Sequence, residues 1–129
     1  MTDNLEQTLK QWRQSSFEYG ERDCMLSLAE YAARCGWPDV RESYRGRYNT
    51  HDGAEAMIAA SGGIPAIIER VGLCRIPLEE ARPGDIVMVR IGDQELGAIC
   101  TGPGIVARLE RGTVEINLRF VKILAAWRI

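Results

Sequence analysis

Histidine is nearly absent from this sequence: His51 is the only imidazole among 129 residues. Four cysteines occur (Cys24, Cys35, Cys74 and Cys100), with no CxxC pair among them. Structural zinc sites take paired ligands at short spacing, so no metal and no other cofactor is expected. Disulfide frameworks belong to secreted chains, and the opening "MTDNLEQTLKQW" is polar, without the apolar core of a signal peptide. No apolar run approaches the ~20 residues that cross a bilayer. The expectation is therefore synthesis and residence in a cytoplasm with no membrane span. An excess of positive charge is also missing. Sixteen Lys and Arg stand against 18 Asp and Glu, for a net charge of −2. That excludes an overall basic field drawing in nucleic acid. The densest basic cluster, Arg45-Gly46-Arg47, reads as a solvated loop.

What remains is an ordinary globular composition, 46% apolar and 26% charged. The length suits one domain, residues 1–129, around a single core. Leu5, Leu9 and Trp12 recur at helical spacing in "NLEQTLKQWRQ". "SSFEYGERD" breaks that helix. "CMLSLAEYAARC" predicts a second one, with Asp23 as its N-cap, Gly36 and Trp37-Pro38 as its stop, and Leu28, Ala29, Ala32 and Cys35 on one face. Asp52 opens a short helix that stops at Ser61-Gly62-Gly63. Pro65 starts another that runs to Gly72. "RIPLEEARPGD" reads as a connector with a turn at Pro83-Gly84.

After Asp85 the texture changes to short apolar or alternating runs: "IVMVRI", "LGAICT", "IVARLE", "TVEINL" and "ILAAWRI". A helical part (1–80) followed by a β-meander (84–129) predicts an α+β domain, with the helices packed on an antiparallel sheet or small half-barrel.

Cys24 is the residue with chemical potential. In the first turn of a helix a thiol faces unpaired backbone amides and the positive end of the helix dipole, and both lower its pKa. Cysteine hydrolases prepare a nucleophile in this way. Asp23 works against it, since one carboxylate disfavours a second anion beside it. A small buried structural thiol is the other reading of the same position.

The order of motifs adds a resemblance. "FEYGERDC", an Ala/Leu helix and then "RPGDIVMV" resemble the NlpC/P60-type, papain-like cysteine peptidase superfamily. Its pattern runs Tyr-x-Trp-Gly, Asp-Cys-Ser-Gly at the head of the core helix, Gly-Asp-Leu-Val on the first strand and His-Val-Gly-Ile on the next. Phe17, Tyr19, Gly20, Asp23, Cys24, Gly84, Asp85 and Gly97 fall on it. "RGRY", "GAEAMIAASGG" and "AAWRI" resemble a short branch found among phage and prophage tail genes. The resemblance implies a papain-like fold with Cys24 as candidate nucleophile and Tyr19, Gly20, Asp23 and Gly97 in support. Yet the strand reads "QELGAIC", so Glu95 occupies the histidine position. Phe17 lacks the motif's tyrosine hydroxyl, and Met25 replaces its serine.

A general base must sit within hydrogen-bond reach of the thiol. Glu95 as an anion opposes thiolate formation. His51, in a loop before a short helix, reads as a surface histidine or part of that helix's cap, or as a base if the loop folds over Cys24. The resemblance thus implies a degenerate, non-catalytic tail-assembly or tail-tip component. Its partners would be other tail proteins, and it would sit in the host cytoplasm during assembly and in the virion tail. The alternative is a peptidoglycan endopeptidase or amidase using Cys24 on stem peptides, and a further one is an acyltransferase or deamidase of the same geometry. Trp37, Trp127, Tyr44 and Tyr48 read as core packing and loop anchors, or as the lining of a peptide or glycan groove.

Overall fold

The computed structural model describes residues 3–129. Four α-helices come first: α1 (Asp3–Gln14), α2 (Cys24–Arg34), α3 (His51–Ala60) and α4 (Ile64–Val71). Six strands complete the domain: β1 (Cys74–Ile76), β2 (Ile86–Ile91), β3 (Gln94–Cys100), β4 (Gly104–Leu109), β5 (Gly112–Asn117) and β6 (Lys122–Arg128). The class is α+β, as the run of helices followed by alternating segments predicts. Among the described residues no helix is long and apolar enough to cross a membrane.

The amphipathic spacing of α1 places Leu5, Thr8, Leu9 and Trp12 in the core. In α2 the buried residues are Leu26, Ser27, Leu28, Tyr31 and Ala32. Ala29 and Cys35, expected on the deepest face, are only half-buried. The reason is that α2 touches β3, β4 and α1 together, which turns its contact face toward Ser27 and Tyr31. Thr50, not Asp52, caps α3: its Oγ1 accepts the Gly53 amide at 3.0 Å, so His51 is the first helical residue. Gly72, at φ +117°, ends α4 in the left-handed region, as its position after Val71 predicts.

The sheet differs from a simple meander. Strands β2 to β5 run antiparallel in sequence order, but β6 returns to the free edge of β2, giving the order β1-β6-β2-β3-β4-β5. Between the pairs Met88↔Ala125 and Val89↔Ile123 the register shifts, leaving Leu124 as the extra residue of a bulge. Strand β1 lies in the segment read as a connector and within the part read as helical. It pairs Cys74 with Arg128 and Ile76 with Ala126. Three residues carry too little alternation to signal a strand, and the edge of β6 selects them.

Both faces of the sheet are buried. Ile86, Ile99, Val106, Ala125 and Trp127 meet the helices. On the other face Val87, Val89, Leu96, Ala98, Cys100, Ile105, Ala107 and Ala126 pack on one another. The residues packed against that second cluster come mainly from strands and loops of the same sheet. Of the residues packed against it, Cys24 alone belongs to a helix. The turn into β2 is tied down by Asp85, which is 2% exposed. Its carboxylate accepts the Arg82 amide at 2.9 Å and the Ile129 amide at 3.1 Å and pairs with Arg128 at 3.3 Å. The two tryptophans read as packing do pack: Trp127 is fully buried with Nε1 donating to Glu69 at 3.0 Å, and Trp37 lies against Gly72.

Candidate functional site

Asp23 organises the mouth of α2. Its Oδ1 accepts the Leu26 amide at 2.9 Å, which is the N-cap bond expected from sequence. Its Oδ2 accepts the Gly20 amide at 2.9 Å and the Tyr48 hydroxyl at 2.5 Å. The carboxylate is thus buried but fully engaged, the condition under which a buried charge is tolerated. The loop holding "RGRY" is drawn in by the same group and is not merely solvated. The Gly46 amide donates to the Gly20 carbonyl at 2.9 Å. Gly20 has φ +85°, and a Cβ there would stand 2.0 Å from the Tyr48 carbonyl oxygen. Only glycine fits both demands. Burial and then the Asp23 carboxylate push the Tyr48 hydroxyl well above the usual phenol range.

Cys24 is the first residue of α2, and its Sγ lies 3.2 Å from the Gly97 carbonyl oxygen on β3. Gly97 makes the approach possible: a Cβ at that position would be 2.4 Å from Leu28 Cδ1. The helix mouth therefore faces the sheet, as the motif order implies. The electrostatics run against a nucleophile, however. Burial, and after it the Asp23 charge, push the Cys24 thiol up to about 12. A carbonyl oxygen can only accept, so the contact with Gly97 belongs to the protonated thiol.

A cavity of about 430 Å³ opens at this point, and Cys24, His51 and Glu95 all line it. The structure thus brings together three residues far apart in sequence, but it does not join them. Among the described residues no hydrogen bond links Sγ to His51 or to Glu95. Glu95 pairs with Arg90 across the β2–β3 ladder at 2.5 Å. His51 Nδ1 is 3.3 Å from the Tyr19 hydroxyl, and its Nε2 is 4.0 Å from Glu55. Burial, followed by the nearby Glu110 carboxylate, raises the Tyr19 pKa. Tyr19 also stacks edge-on against Phe17, with ring centroids 4.8 Å apart. The cavity lining thus joins the aromatic rings of Phe17, Tyr19 and Tyr48 to the thiol and to charges of both signs, Asp23, Glu55, Glu95 and Glu110 with Arg108 and Arg111.

Among the described residues no group of His, Cys, Asp and Glu is arranged to hold a metal ion, and the four cysteines are free. Among the lining residues that escaped the sequence reading are Glu55, Arg108, Glu110 and Arg111. Glu110 follows β4 and carries no pattern of its own. Arg108 did leave a signal, as the one charge in the apolar stretch "GIVARL".

The whole chain, residues 1–129, matches the family described as a domain of unknown function, DUF6950. The chain belongs to that family. No curated protein and no solved structure matches it.

Proposed function

We propose that this chain is a papain-like scaffold of NlpC/P60 type whose hydrolytic chemistry has lapsed, and that it serves as a non-catalytic component of a phage or prophage tail. The observation that carries the first half is the state of Cys24. Its sulfur is at a helix mouth facing β3, the place such a nucleophile occupies, yet burial and Asp23 hold the thiol protonated, up to about 12. The residue at the usual histidine position, Glu95, is spent on Arg90. A thiol without a hydrogen-bonded base is a weak nucleophile at neutral pH. The second half rests on the resemblance of "RGRY", "GAEAMIAASGG" and "AAWRI" to a branch found among tail genes. Mass spectrometry of purified particles tests it, with the chain expected among the tail components; its absence from particles overturns the tail assignment.

One observation favours a second reading, a cysteine-dependent peptidoglycan endopeptidase or amidase. Cys24 and His51 line the same cavity, and a shift of α3 would bring the imidazole nearer the sulfur. First-turn amides of α2 would then face the oxyanion of a tetrahedral intermediate. Incubation with purified muropeptides separates the two. No fragment release is expected. Release that disappears in a folded Cys24→Ala variant overturns the non-catalytic reading.

A further inference from the structure

Strand β4 carries one charge in an otherwise apolar stretch. Arg108 points to the α2 side of the sheet and is only 4% exposed. Arginine is almost never buried to that degree without an acidic partner, because removing water from a guanidinium is costly. Here its hydrogen bonds all go to uncharged groups: Nη1 donates to Ser27 Oγ at 3.3 Å, and Nη2 to the Ser15 carbonyl at 2.9 Å and Ser15 Oγ at 2.8 Å. Among the described residues it forms no ion pair, and its Nε makes no hydrogen bond. The nearby carboxylates are engaged elsewhere. Glu30 pairs with Arg41 at 3.2 Å, Glu21 with Arg45 at 3.7 Å, and Asp23 is filled by two amides and Tyr48. Burial, then the like charge of Arg22, push the Arg108 pKa down against weaker pulls from Glu30 and Asp23.

A groove of about 340 Å³ opens beside this cation. It is distinct from the Cys24 cavity. Arg108 borders both, but Ser15 and Ser27, to which its guanidinium is bonded, line only the groove. Arg22 and Arg41 also line it, paired with Glu18 and with Glu30 and Asp39, and the paired carboxylates Glu21 and Glu30 lie on the same walls, so Arg108 is the one guanidinium there without a carboxylate partner among the described residues. Ser27 is buried; its oxygen accepts from Arg108, and its hydroxyl hydrogen has no acceptor among the described residues. The Gln14 side chain, also on the wall, has no partner among them either. We propose that this groove is an oxyanion-binding site that takes a small carboxylate or phosphate group, with Arg108 as the charge and Ser27 and Gln14 as further donors. The missing acidic partner of Arg108 is supplied by the ligand, through charge-assisted hydrogen bonds of the kind guanidinium makes to both anions. This site stands independently of any tail role.

The test is an NMR titration of the full chain at neutral pH, in separate arms of sodium phosphate, sodium acetate and sodium chloride at equal ionic strength. Saturable shifts centred on Ser27 and the Arg108 Nε–H are expected with phosphate, acetate or both, and the arm that saturates identifies the oxyanion. Equal response to chloride, shifts scattered over the surface, or no saturation overturns the proposal. In Arg108→Gln binding is expected to weaken roughly tenfold to a hundredfold. Substitution of the exposed Arg119 by Gln should leave it unchanged. Should Arg108→Gln fail to fold, the wild-type shift map decides the matter, and Ser27→Ala, which retains the cation, is expected to bind more weakly.

Discussion

The Cys24 sulfur lies 3.2 Å from the carbonyl oxygen of Gly97, across 73 residues of sequence. One residue is the first of a helix and the other is in the middle of a strand. Neither position alone specifies the contact. It exists because α2 can lie directly on β3 where Gly97 has no side chain. The same closeness leaves the thiol part-buried beside the Asp23 carboxylate, and so the contact that positions the sulfur also favours its uncharged form.

Cys24 should therefore resist alkylation at neutral pH while the exposed Cys74 reacts normally. With its pKa pushed up to about 12, its thiolate fraction at pH 8 is on the order of a thousandfold below that of an ordinary cysteine near 8.5. Raising the folded pKa above the unfolded one means that folding favours the protonated thiol. That stabilisation is complete below about pH 8.5 and is lost as pH rises toward 12. Peptide mapping after iodoacetamide treatment across pH checks this, and equal labelling of Cys24 and Cys74 at pH 8 would refute it.

Gly97→Ala should destabilise the domain by about 1–3 kcal/mol, through overpacking against Leu28. The added methyl forces α2 away from β3 and lengthens the Cys24–Gly97 contact. Urea unfolding gives the stability, and Cys24 labelling should speed up in the same variant. An unchanged midpoint would mean that Leu28 simply rotates aside.

Tyr48→Phe leaves one bond of the buried Asp23 carboxylate unmade and should cost about 1–3 kcal/mol. Asp23→Ala removes the cap as well. A double-mutant cycle between them should show a coupling of about 0.5–3 kcal/mol, whereas simple additivity would show that the Tyr48 hydroxyl is not holding this turn.

Asp85→Ala strips the Ile129 amide and Arg128 of their shared partner. A loss of about 3 kcal/mol is expected, because the carboxylate is buried and Arg128 keeps its charge. Hydrogen exchange should quicken first in β1 and β6, which this group secures to the start of β2. Uniform acceleration across all six strands would contradict that local role.

Helices α1 to α4 and strands β2 to β6 were legible because each has enough residues to show its period or has turn residues at its ends. Capping by Asp23 was legible for the same local reason. Strand β1 was not, since three residues show no period, and the Thr50 cap was hidden by a neighbouring aspartate equally suited to the role. The two-sided burial of the sheet left only an indirect mark, in short runs such as "IVMVRI" that are apolar without clean alternation.

Local chemistry in the chain determined where helices start and stop, which segments are extended, and that a cysteine stands in the first turn of α2. Tertiary structure alone decided that β6 would pair with β2, that Tyr48 would seal Asp23, that Cys24, His51 and Glu95 would line one cavity without bonding, and that Arg108 would be buried without a counter-charge. The division has a physical basis. Periodicity and capping act over a few residues and are written in the sequence, while desolvation and the distance between charges depend on which distant segments close-packing brings into contact.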